Sequence, residues 1–179
     1  NTSSFAAYNG DWSATVTLGA SAYGAWNGDW STNVTTLGAS AFGAWNGNSN
    51  ANDSVGTNNG TAQGGLTYST GKIGQAFTFN GTNAYVQLPT NTLRFTGDFS
   101  CSLWVYIPTS NSNTQTLIGC LRQPSIFTGW NIRTDTNTIY FEVGFASGRK
   151  SYAYTNGSII GSWVHVTATF KYVTGGKLY

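Results

Sequence analysis

Residues 45–106 read WNGNSNANDSVGTNNGTAQGGLTYSTGKIGQAFTFNGTNAYVQLPTNTLRFTGDFSCSLWVY. Short runs rich in Val, Tyr, Phe, Trp and Thr alternate here with clusters of Asn, Gly, Ser and Asp, the pattern of β-strands joined by turns. Continued along the chain, it predicts strands near 42–46, 66–68, 74–79, 83–88, 98–107, 115–122, 129–134, 138–145, 149–155 and 162–172. Asn80-Gly81 separates GQAFTF from AYVQL and predicts a type I′ hairpin, a turn that needs positive φ at both central residues. Asn156-Gly157 is a second turn signal. No stretch holds a 3.6-residue period, so an all-β chain without a long helix is expected.

Composition narrows the class. Hydrophobic residues make up 40% of the 179, aromatic residues 15% and charged residues only 8%. The aromatic content supplies the apolar area that disordered chains lack. Solubility must rest on neutral Ser, Thr, Asn and Gly, as in secreted modules and subunits of assemblies. A net charge of +2 is too small for a nucleic-acid footprint. No segment approaches the ~18 consecutive apolar residues of a membrane span. The charges are nonetheless segregated: residues 1–71 carry three aspartates and no Lys or Arg, and all eight basic residues lie from Lys72 onward.

The N-terminal stretch is repetitive. Residues 8–25 read YNGDWSATVTLGASAYGA, and residues 26–44 read WNGDWSTNVTTLGASAFGA. A third copy opens at Trp45 as WNGN and then changes into the pattern quoted first. Each unit has the size of a hairpin, too small to bury its own apolar face, so the copies must stack on something. The expected organisation is a repetitive β extension over 1–44 followed by a sandwich over 45–179.

Cys101 and Cys120 fall in consecutive predicted strands. If Phe99–Ile107 and Thr116–Leu121 form a hairpin, the thiols lie near each other, with Cys101, Leu103, Val105 and Ile107 on one face by the period of two. A cross-strand disulfide and a pair of buried free thiols are both open. A zinc site needs about four N/S ligands, and His165 is the only histidine.

Several pieces carry a family resemblance over roughly Phe42–Tyr179. NANDSVGTNNGT (50–61) resembles a laminin-G-like Asp-Ser-x-Gly loop, and GKIGQAFTFNGTNAYVQLP (71–89) a Gly-x-Ala-Phe-x-Phe-x-Gly hairpin. FSCSLWVYIP (99–108) is similar to the family's Trp-containing central strand, and GSWVHVTATF (161–170) to its Trp-His-Val strand. The resemblance is to the laminin-G-like branch of the concanavalin A-like lectin/glucanase superfamily. It implies an antiparallel β-sandwich of jelly-roll type, with Trp104 and Trp163 at core positions and His165 in a structural strand. The family pattern continues beyond Leu178-Tyr179 with further core strands. A sandwich short of its last strands and carrying spare copies of its first suggests that an N-terminal strand of one subunit complements the next.

The chemistry-bearing residues are few. Glycoside hydrolysis commonly needs two facing carboxylates. The chain has one glutamate, Glu142, without an acidic neighbour at i+2 or i+3, and Asp135 precedes it in a turn-like RTDTNT. No enzyme is expected. Asp53 has two readings, a ligand of a structural calcium ion, with carbonyl and Asn oxygens completing the six to eight that calcium takes, or a turn-former bonded to its own backbone. Sugar recognition uses an exposed aromatic ring flanked by polar groups. Trp130, Tyr152 and Tyr154 are the candidate platforms, and Arg133 and Arg149 the candidate partners for sugar hydroxyls or an acidic sugar.

Together these readings predict a non-catalytic, lectin-like module of an extracellular, cell-surface or virion-surface appendage. Its expected partners are a glycan or cell-surface polysaccharide and neighbouring copies of itself, with neither nucleic acid nor a membrane span. The alternative is a structural assembly protein, a fibre, filament or capsid-decoration subunit, joined by N-terminal strand exchange.

Overall fold

The computed structural model describes residues 41–108, 114–120, 128–145, 147–155, 159–172 and 175–179. All regular structure among them is β, in eleven strands, and none of it is a helix that could cross a membrane. Compact packing divides the chain after Thr92, inside the stretch read from sequence as one sandwich. The repeats before residue 41 lie outside the described residues.

The unit up to Thr92 holds two small antiparallel pairs. β1 (Thr61–Gln63) pairs with β4 (Tyr85–Gln87), and β2 (Thr67–Thr70) with β3 (Gln75–Thr78). The hairpin expected at Asn80-Gly81 does not form, because β3 and β4 take different partners. Gly81 has φ +71°, but Asn80 keeps negative φ. Its Oδ1 instead accepts the backbone N–H groups of Thr82, Asn83 and Ala84, each at 3.0 Å. Asparagine can satisfy a loop's own donors in this way, and that competes with the two-residue turn. Residues 42–46, expected as a strand, form none.

The unit from Leu93 is a sandwich of two antiparallel sheets. One is three-stranded in the order β11–β10–β5, with β5 spanning Phe99–Tyr106, β10 Trp163–Lys171 and β11 Gly175–Leu178. The other is a four-stranded meander of β6 (Gln115–Gly119), β7 (Gly129–Asp135), β8 (Thr138–Phe145) and β9 (Gly148–Tyr154). Period-two alternation decides which side chains turn inward. Ile132, Ile139, Phe141 and Val143 from the meander meet Phe99, Val166, Ala168 and Phe170 from the other sheet, all buried. The ring contacts Phe99–Phe141 and Phe145–Phe170, both 6.2 Å between centroids, join the layers. Gly176 lies opposite Phe141, where an added Cβ would stand 2.7 Å from the ring, so that strand is thinned to admit the aromatic core.

The pairing also corrects the cysteine reading. β5 pairs along its whole length with β10, not with β6. Cys101 therefore lies in one sheet and Cys120 just past the end of β6 in the other, and both thiols are free. Burial pushes the Cys101 thiol up to about 12. Cys120 Sγ–H donates to the Leu93 carbonyl at 3.1 Å.

Candidate functional site

The five residues expected to hold a glycan fall on opposite faces of the meander. The β7–β8–β9 register places Trp130 opposite Val143, and aligns Phe141 with Tyr152 and Ile139 with Tyr154, all on the inner face. Trp130 is 2% exposed, packs 4.9 Å from the Phe99 ring and donates its Nε1–H to the Leu93 carbonyl at 2.8 Å. It is a core residue, and the expectation of an exposed platform there is corrected. Tyr152 stacks on Phe141 at 6.1 Å. Tyr154, at the rim of the edge strand, is exposed.

Arg133 and Arg149 do come together, on the outer face, around Glu142. Arg133 Nη2 lies 3.1 Å and Arg149 Nη1 3.3 Å from Glu142 Oε1, while Arg133 Nη1 binds Asp135 Oδ2 at 2.7 Å. Ser151 Oγ–H donates to Glu142 Oε1 at 3.4 Å, and the Arg133 guanidinium lies 4.0 Å over the Tyr140 ring. Burial lowers the affinity of Arg133 for its proton, but the Asp135 and Glu142 carboxylates outweigh it and hold the group above its ordinary value. Glu142 is 1% exposed, and its cross-strand neighbour Asn131 is buried with an Oδ1 that has no hydrogen-bond partner among the described residues. Two carboxylates neutralise two guanidiniums here. This is a charge-paired network.

The accessible aromatic surface lies on the other sheet. β5 and β10 align Trp163 with Tyr106 and His165 with Trp104. All four point away from the core, since their neighbours Leu103, Val105, Val164 and Val166 point into it. Trp104 and His165 have ring centroids 4.9 Å apart, and Tyr106 and Trp163 5.7 Å. Tyr179, whose N–H and C=O exchange hydrogen bonds with Thr167, joins the same face. Tyr106 is 45% and Tyr179 58% exposed, while the two tryptophans are of intermediate exposure and the Trp104 indole nitrogen is buried. Ser100, Ser102, Thr167 and Thr169 continue the face with hydroxyls. Desolvation holds the His165 imidazole below its ordinary value of 6.5, so the ring is neutral at pH 7. The signal for this face was present in the alternation of CSLWVY and WVHV. The strand face carrying Cys101, Leu103 and Val105 leaves Trp104 and Tyr106 on the reverse.

Asp53 organises a loop in the first unit. Its Oδ1 accepts the N–H groups of Ala44 (3.0 Å) and Val55 (3.1 Å), and its Oδ2 that of Asn58 (3.2 Å). Burial raises its pKa, but backbone donors at Ala44, Val55, Gly56 and Asn58 outweigh it and hold the carboxyl below 3.8. Calcium would need these same lone pairs, and the donors aim positive N–H dipoles at the place a cation would take. The arrangement fits the turn-forming reading and not a calcium ligand. Among the described residues, no three His, Cys, Asp or Glu side chains converge.

Comparison with known proteins gives one family. The family model of the concanavalin A-like lectin/glucanases superfamily, of laminin-G type, matches residues 80–179. A search of curated proteins gave no match.

Proposed function

The chain belongs to the concanavalin A-like lectin/glucanase superfamily, and from that membership we propose that it is a non-catalytic, lectin-like module that binds a neutral glycan on an extracellular, cell-surface or virion-surface appendage. The observation that carries the reading is the paired-ring face of Trp104, His165, Tyr106 and Trp163, bordered by the hydroxyls of Ser102 and Thr167. A pyranose has an apolar C–H face that covers an aromatic ring and a rim of hydroxyls that need polar partners, and this surface offers both. Successive outward residues on a strand repeat every ~6.8 Å, so the two ring pairs form a strip able to take more than one sugar. Non-catalytic action is supported by Glu142, whose oxygens face guanidiniums in a buried position and not an open cleft.

The test is retention on a panel of immobilised neutral and acidic polysaccharides, with Trp104→Ala and Trp163→Ala as variants. Binding by the parent chain that both variants lose supports the proposal. Equal retention of parent and variants, or none by the parent, overturns it.

Assembly is the second reading, favoured by β11, which among the described residues pairs with β10 alone. An unpaired strand edge is a template for another chain. Light scattering over a concentration series, with and without residues 1–40, tests it. A mass that grows with concentration only when those residues are present supports strand exchange, and a constant monomer mass of 19.1 kDa for the intact chain rules it out.

A further inference from the structure

Residues 41–47, AFGAWNG, dock on the Asp53 loop through a small set of contacts. The Ala44 N–H donates to Asp53 Oδ1 (3.0 Å), and the Ala44 carbonyl accepts from Ser54 N–H (2.8 Å) and Ser54 Oγ–H (3.0 Å). The Trp45 indole N–H donates to the Asn58 carbonyl at 2.9 Å. Gly43 lies under the indole and beside the carboxylate, where a Cβ would stand 2.6 Å from the Trp45 ring and 3.2 Å from Asp53 Oδ2. Gly47, at φ +70°, lets the chain turn against the Phe77 backbone, 2.9 Å from where its Cβ would be. The seat thus recognises one backbone amide group, one indole N–H and two glycines.

Every one of those features recurs in residues 22–28, AYGAWNG, which differ from 41–47 only by Tyr23 in place of Phe42. Phe42 is about half exposed, which leaves room for a phenol hydroxyl to reach solvent. The likeness extends one step further. Asn48 Oδ1 accepts the Gln75 N–H at 2.9 Å, and the corresponding Asp29 is also an acceptor. Residues 5–10, FAAYNG, lack two of the features, because Ala6 replaces Gly43 and Tyr8 replaces Trp45.

We propose that the Asp53 loop is a receptor for this motif with two alternative occupants in one chain, 41–47 and 22–28, so that the N-terminal segment can slip by one repeat while the seat stays filled. The connection from the docked alanine to Asp53 lengthens from nine residues to 28. The probability of closing a loop falls as the 3/2 power of its length, which favours 41–47 by about fivefold. The contacts of Ser49 with Gln75, at 2.5 Å, add to that preference, since Trp30 stands at the equivalent position. The seat therefore holds 41–47 in most molecules and passes to 22–28 when the nearer copy is damaged.

Amide hydrogen exchange on the full chain tests this with Gly43→Val, which drives a side chain into the Trp45 ring, and with Trp45→Tyr, which removes the indole N–H and shortens the ring system. In either variant, protection is expected to leave the Ala44 amide and appear at Ala25, with Val55 and Asn58 still protected at least tenfold. Adding Trp26→Tyr should then abolish protection at Val55 and Asn58. Loss of protection at Val55 and Asn58 in the single variants overturns the proposal, because the seat would accept only 41–47. So does protection there without Ala25, because the seat would need no occupant. Protection of Ala25 that appears only with a dimer in light scattering overturns it too, in favour of exchange between chains.

Discussion

Trp104 on β5 and His165 on β10 stand directly opposite each other across a ladder, their rings 4.9 Å apart on the outer face of the sandwich. The tryptophan ring helps to desolvate the imidazole and so favours its neutral form. Because the folded pKa lies below 6.5, the folded state binds fewer protons than the unfolded state in the window just under that value. The resulting stability is fully present above pH 6.5 and is lost as the pH falls through the folded pKa. Thermal melts should show a lower Tm at pH 5 than at pH 7.5, and His165→Gln should remove that part of the difference. Glycan retention should weaken over the same interval, since a sugar covering a charged imidazole would strip its remaining water.

Trp104→Ala and Trp163→Ala should lower glycan affinity by about tenfold or more each, the equivalent of ~1.4 kcal/mol. Both rings lie on the outer face, so the sandwich should keep its far-UV dichroism and its cooperative unfolding. Calorimetric titration against whichever polysaccharide the parent retains gives the two affinities.

Trp130→Ala should act on the fold instead. The side chain is buried among Phe95, Phe99 and Phe141, and its removal leaves both a cavity and a Leu93 carbonyl with one donor fewer. A cost of about 3–5 kcal/mol is expected, a large share of the ~5–15 kcal/mol by which such domains are stable. Urea unfolding measures it, and a loss under about 1 kcal/mol would contradict the burial.

Glu142→Gln should cost about 3 kcal/mol, because the Arg133 guanidinium keeps its charge in a mostly buried place while losing a carboxylate. Arg149→Gln should cost less than about 1 kcal/mol, since that partner is more exposed and its pair is screened. Neither chain is expected to release reducing sugar from any polysaccharide it retains. Hydrolysis by the parent that Glu142→Gln removes would overturn the non-catalytic reading.

Asp53→Asn should destabilise the first unit near neutral pH by about 1–3 kcal/mol, the scale for buried donors losing their acceptor. Its folded pKa is depressed, so the carboxylate's contribution is present above pH ~4 and is lost as the pH falls through the folded value. Melting curves of parent and variant should therefore converge once the pH has fallen below the folded value. Added calcium should leave the parent's Tm unchanged, and a clear rise that Asp53→Asn abolishes would restore the calcium reading.

The strands that matter most were legible because their alternation is regular. FSCSLWVY, TIYFEVGF and WVHVTATF lie within β5, β8 and β10, and the all-β class, the absence of a long helix and the family all follow from such runs. β4 lies within the run predicted at 83–88, whereas the short strand β1 was obscured by Asn- and Gly-rich surroundings. Asn80-Gly81 misled because the asparagine side chain found three backbone donors nearby, which a propensity for turns does not distinguish from a two-residue hairpin.

By itself, the sequence determined which residues form strands and which face of each strand is apolar, since a period of two is a local property of an extended chain. It also determined the repeat, and with it the second copy of the motif that docks at Asp53. Only the tertiary structure decided which strands are neighbours, because pairing is a contest among partners distant along the chain. β10, not β6, won the edge of β5, and that separated Cys101 from Cys120. The same contest buried Trp130 beneath Phe99, gathered Arg133 and Arg149 around Glu142, and turned Trp104 and Trp163 outward beside His165 and Tyr106.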